Sequence, residues 1–85
     1  MEHFYDAREV ELLQLFANGM IYATIALDWE VSERQVRRIA EVLFSKLNAH
    51  NPQHAVGMGF KRGLLTRSDV MEEEPLANLK VTRWS

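Results

Sequence analysis

Ser32-Glu33-Arg34-Gln35-Val36-Arg37-Arg38-Ile39-Ala40-Glu41-Val42-Leu43-Phe44-Ser45-Lys46-Leu47 carries two patterns at once. Val36, Ile39, Ala40, Leu43 and Leu47 recur at three- and four-residue spacing, which is the apolar stripe of a helix lying on a core. Arg34, Arg37, Arg38, Glu41 and Ser45 fall on the other side. Ser32 is a good N-cap, and Gln35, at the third helical position, completes a capping box. The spacing predicts a helix running to about Leu47 or Asn48.

The flanks read in the same way. Upstream, Asp6 followed by Glu9 makes a capping-box-like start, and Val10, Leu12, Leu13, Leu15 and Phe16 give a wide apolar face. Gly19 is placed to end that helix in a left-handed conformation, so the first helix spans about 7–18. A second short helix is expected over 21–27, with Ile21, Ile25 and Ala26 on one side. It stops at the polar break Asp28-Trp29-Glu30, where Trp29 and Val31 read as buried turn residues. Downstream, Asn48-Ala49-His50-Asn51 is a turn, Asn51 a cap, and Pro52 sits in the first turn of a fourth helix, where its missing N–H costs nothing. That helix covers about 52–62. Gly63 stops it, Leu64 and Leu65 fold back on the core, and Phe4 and Tyr5 pack at the edge.

Composition agrees with one small helical domain. Eighty-five residues with 47% apolar and 26% charged side chains, two Pro and four Gly describe an ordinary globular chain with a single core. The absence of Cys excludes a disulfide framework, a thiolate zinc site and a cysteine nucleophile. No window approaches eighteen apolar residues, and Glu2, Asp6, Arg8, Glu9 and Glu11 near the start exclude a secretion signal. The chain is read as cytoplasmic. Its net charge of −2 is unevenly spread. Residues 1–31 hold one base, Arg8, against six acids. Residues 32–62 hold six bases (Arg34, Arg37, Arg38, Lys46, Lys61, Arg62) against Glu33 and Glu41. A basic middle on an acidic chain is compatible with phosphate binding, because attraction follows local charge.

From Thr66 onward the pattern weakens. Ser68-Asp69 can cap a turn, Glu72 to Glu74 is an acidic run, and Pro75 breaks it. The chain is therefore divided into a helical domain, 1–65, and an acidic C-terminal tail, 66–85. The tail is either a solvated end or a segment in which Val70, Met71, Leu76, Leu79, Val81 and Trp84 dock on this or another protein; docking is favoured by the number of apolar residues.

Four short helices, the second and third joined by a tight turn and the third carrying arginines outward, form the arrangement of a helix-turn-helix DNA reader. Arginine's planar fork suits phosphates and guanine edges. The residues also resemble a known family. Arg8-Glu9-Val10-Glu11-Leu12-Leu13, Ala17-Asn18-Gly19, Ile25-Ala26, Val31-Ser32, Val36-Arg37, Lys46-Leu47, Ala55-Val56 and Gly63-Leu64 match, in order and without a gap, the LuxR-type (GerE-type) helix-turn-helix domain. The resemblance covers about residues 5–65. It implies an all-α, four-helix domain whose third helix enters the major groove of double-stranded DNA, and whose fourth helix supplies a dimer contact for inverted half-sites.

The chain departs from that pattern at several points. Gln35 stands where the family has Thr, Ile39 where it has His, Pro52 where it often has Arg, Thr24 where it has Glu, and Trp29 where Leu is common. Arg37 matches the basic DNA-contacting position, with Arg38 beside it. Glu41 occupies a position that is a basic base contact in some relatives; a carboxylate there repels phosphate or accepts from cytosine. Only a few residues precede the first helix, so no preceding receiver or ligand-binding domain is expected.

The DNA-binding set expected from sequence is Ser32, Arg34, Gln35, Arg37, Arg38, Glu41 and Lys46. Each has a plainer reading. Arg34 or Arg37 can pair with Glu33 or Glu41 on a solvated face; Ser32 caps whether or not it meets a phosphate. Gln35 reads adenine or closes the capping box, and Lys46 touches phosphate or is a surface lysine. His50 and His54, four apart, lack further ligands for a metal. No nucleophile, acid–base pair or phosphate loop suggests an enzyme, and no cofactor is expected. The sequence therefore reads as a dimeric DNA-binding transcriptional regulator. The alternative is a protein-interaction module that binds a larger regulatory protein through the same scaffold.

Overall fold

The computed structural model describes residues 4–70, and these form four α-helices and a short 3-10 turn. The helices are α1 (Ala7–Ala17), α2 (Tyr22–Trp29), α3 (Glu33–Leu47) and α4 (Pro52–Lys61). The 3-10 turn is Arg67–Asp69. Each start is set by a local device where the sequence supplies one. Asp6 accepts from Glu9 N–H at 2.9 Å while the Glu9 carboxylate accepts from Asp6 N–H at 3.1 Å. Ser32 and Gln35 exchange the same two bonds at 3.1 and 3.5 Å. Asn51 accepts from His54 N–H at 2.8 Å, ahead of Pro52. The exception is α2, whose N-cap, Ile21, has no side-chain oxygen to offer.

All four helices close on a left-handed residue with the same pair of backbone bonds. Two of these residues are the expected Gly19 and Gly63. The other two are Glu30 (φ 60°) and Asn48 (φ 57°). At Glu30 the closing bonds run from Glu30 N–H to Leu27 O and from Val31 N–H to Ala26 O. This extends α2 beyond the expected limit of 27. Trp29 is its last residue, half-buried, and the turn into α3 shrinks to Glu30, Val31 and Ser32.

The core is one cluster. Leu12, Leu13 and Phe16 of α1 meet Ile25 and Ala26 of α2, Val36, Ala40, Leu43 and Leu47 of α3, Ala55 of α4, and Leu65 beyond it. Ile21, placed with Ile25 in the sequence reading, is instead 64% exposed, because as the N-cap it precedes the helical face that turns inward. Phe4, expected at the edge of the core, is 93% exposed, whereas Tyr5 packs on the cluster. Thr66 to Val70, assigned to the tail, are tied to the end of α1: Asn18 Nδ2 donates to Asp69 O at 2.9 Å, and Gln14 Nε2 to Asp69 Oδ1 at 3.3 Å. The docking expected of Met71, Leu76, Leu79, Val81 and Trp84 lies outside the described residues.

α1 and α4 approach closely through Gly59. A Cβ there would stand 2.7 Å from Leu13 Cδ2 and 3.0 Å from Leu65 Cδ1, both in the core. Gly59→Val is expected to force these side chains off their rotamers and lower stability by about 1–3 kcal/mol. Gly57, two residues earlier in the same helix, faces open space. Gly57→Ala should raise stability by about 0.5–1 kcal/mol through helix propensity alone. Denaturant midpoints of the two variants check this; equal shifts would refute the close contact.

Candidate nucleic-acid interface

The buried stripe Val36, Ala40, Leu43 and Leu47 anchors α3, and the helical period then sets what faces out. Arg34, Arg38, Glu41 and Ser45, spaced four, three and four, are all exposed along the ridge opposite that stripe. Among the described residues no ion pair holds Arg34 or Arg38. Arg38 borders a shallow concavity toward the start of α1, shared with Arg8, Ile39 and Val42. Ser32 and Gln35, at the beginning of α3, are exposed and joined in the capping box.

Arg37 lies on the flank that faces α2. Its Nη2 is 2.8 Å from Glu33 Oε2, the i,i+4 pairing foreseen from sequence, and its Cζ lies 4.3 Å from the ring centroid of Tyr22. The pair is about half exposed on both sides, where such pairs contribute about 0–1 kcal/mol. Breaking this pair therefore costs little. Tyr22 in turn packs against the buried Phe16, with centroids 5.6 Å apart and the ring planes at 78°. Burial pushes the Tyr22 phenol above its ordinary value; Arg37 lowers it and Glu41 raises it. The phenol is neutral at physiological pH.

Lys46 behaves differently from the arginines. Its Nζ donates to Glu9 Oε1 at 2.8 Å, to Glu9 Oε2 at 3.0 Å and to Phe4 O at 2.7 Å. Glu9 is itself buried, with 5% of its side chain exposed. Around this pair Tyr5 Oη donates to Lys46 O at 3.5 Å, and Arg62 Nη1 donates to Lys46 O at 3.3 Å and to Tyr5 Oη at 3.4 Å. The ammonium joins the end of α3 to α1 rather than standing with Arg34, Arg37 and Arg38.

Sequence reasoning passed over two aromatic contacts beside this surface. Tyr22 was not singled out, since nothing in α2 signals an arginine fifteen positions later. Trp29 ties the end of α2 to α1: its Nε1 donates to Glu11 Oε2 at 3.2 Å, and Arg8 Cζ lies 4.2 Å from its ring. His50 and His54 stack at 5.3 Å, with His50 N–H donating to His54 Nδ1 at 3.2 Å. Among the described residues no cluster of three metal-ligating side chains forms, and no helix is long and apolar enough to cross a membrane.

Four helices with a three-residue turn between the second and third, and a cationic third helix facing outward, define a helix-turn-helix domain. Residues 6–58 match the family profile "Bacterial regulatory proteins, luxR family". The chain belongs to that family. It is also similar to "Transcriptional regulatory protein YdfI" of Bacillus subtilis (strain 168), with 36% identity over 59 residues. The match covers 69% of this chain and 28% of that relative, so the chain spans little more than a quarter of its length. No solved structure matches the chain significantly.

Proposed function

We propose that the protein is a DNA-binding transcriptional regulator that lays α3 in the major groove. The observation that carries this reading is the placement of Arg34, Arg37 and Arg38 on the exposed sides of a helix whose opposite stripe is fully anchored. Family membership supports it. Arg37 and Arg38 read base edges, Arg34 and the start of α3 at Ser32 hold phosphate, and Gln35 and Glu41 contact bases where the operator offers a partner. Lys46 is left out of this set because its charge is already matched by Glu9. Pairing of two copies through α4, where Phe60 is 41% exposed, would place two α3 helices on inverted half-sites. A DNA-bound regulator of this family works in the cytoplasm.

Fluorescence anisotropy against a pool of genomic duplexes at two salt concentrations tests the reading. Binding should weaken steeply with salt, and the double variant Arg37→Ala/Arg38→Ala should lose about 1–3 kcal/mol per bidentate base contact removed. Wild-type protein that ignores every duplex at low salt would overturn the proposal. It would favour the protein-interaction reading, whose complex with another regulator should be nearly indifferent to salt.

A further inference from the structure

Tyr22 is badly explained as a core residue. It opens α2, is only half-buried, and packs against Phe16 with the two rings nearly perpendicular, while the Arg37 guanidinium carbon lies over its ring at 4.3 Å. A guanidinium held over an aromatic ring by cation–π attraction keeps N–H groups available to acceptors. Glu33 takes one of those edges, at Nη2. An arginine on an open helix face samples many rotamers and must be ordered when it binds. Here the guanidinium is held in advance over an aromatic ring that belongs to the neighbouring helix and is itself packed against the core.

We infer that Tyr22 is the positioning residue of Arg37: its ring face orients the guanidinium so that Arg37 meets DNA in one pose, with Glu33 holding the edge until a nucleic-acid acceptor replaces it. The inference rests on the DNA-binding reading. It adds a residue of α2, and a contact between the two helices of the motif, to a surface otherwise drawn from α3 alone. It also makes the pose of Arg37 depend on the α2–α3 packing.

The test is a double-mutant cycle, read by anisotropy on a duplex that the wild type binds, with helical content followed by circular dichroism. Tyr22→Phe keeps the ring and should bind within about twofold of wild type, whereas Tyr22→Leu should weaken binding about fivefold. In the Arg37→Ala background Tyr22→Leu should have no further effect. Equal losses in both backgrounds, no loss from Tyr22→Leu, or a loss from Tyr22→Phe as large as that from Tyr22→Leu would each overturn the role. Wild-type protein that binds no duplex refutes the DNA-binding reading instead. If Tyr22→Leu does not fold, the wild type still answers by NMR: the Arg37 side-chain protons should be shifted upfield by the Tyr22 ring, and random-coil shifts would overturn the inference.

Discussion

Leu43→Ala is expected to lower the folding stability by about 2–5 kcal/mol, the largest effect of any single change considered for this chain. Leu43 is fully buried in the middle of α3, between Ala40 and Leu47 on the stripe that holds this helix to the body. Truncation removes the transfer free energy of three carbons and leaves a cavity that four short helices close only in part. A small domain has a stability of about 5 kcal/mol at the lower end of the usual range, so the loss consumes much of it. Urea unfolding followed by circular dichroism reads the change as a lower midpoint at an unaltered slope. Val42→Ala, one residue earlier and half exposed, should shift the midpoint far less. Equal shifts at the two positions would contradict the packing described for α3. Since α3 carries the arginines, DNA affinity of Leu43→Ala should fall only as the folded fraction falls.

Lys46→Met follows, at about 2–3 kcal/mol. Removing one partner of a fully buried ion pair costs about 3–5 kcal/mol, because the other charge is left in a poor solvent. The cost here is smaller for two reasons. The Lys46 side chain is 26% exposed, so water reaches the site, and Glu9 keeps the Asp6 N–H bond of the capping box. The companion variant Glu9→Gln/Lys46→Met removes both charges but keeps an acceptor for Asp6 N–H, and should recover much of the loss, since no unpaired charge is then left buried. Denaturant midpoints of the single and double variants check this; a double variant no better than the single would refute the coupling. At a temperature where Lys46→Met is folded, its affinity for DNA and its salt slope should equal those of wild type. A shallower slope would return Lys46 to the phosphate contacts expected from sequence.

The first of these changes falls where residue order alone is enough, the second where it is not. Leu43 belongs to a stripe whose period is visible in sixteen consecutive residues, and burial follows from that period. The capping boxes at Asp6 and Ser32, the Asn51 cap with Pro52, and the left-handed Gly19 and Gly63 are also legible, since each is complete within four or five residues. The end of α2 is less legible. The polar run Asp28-Trp29-Glu30 points to a stop at 27, but Glu30 itself takes the left-handed closing position, a role that glycine fills at less steric cost.

The candidate site divides along the same line. That Arg34, Arg38 and Glu41 share an exposed ridge follows from the helical repeat, and the Arg37–Glu33 pair follows from i,i+4 spacing. Period and capping act within one turn or a few, so residue order is enough to state them. The attachment of Lys46 to Glu9, thirty-seven residues away, the placement of Arg37 over Tyr22 and the close approach of Gly59 to Leu13 are of another kind. Each depends on where a long side chain, or a bare backbone, arrives when separate helices pack. That is governed by the angles and distances between helices, which come from the shape of the whole core and not from any one segment of chain.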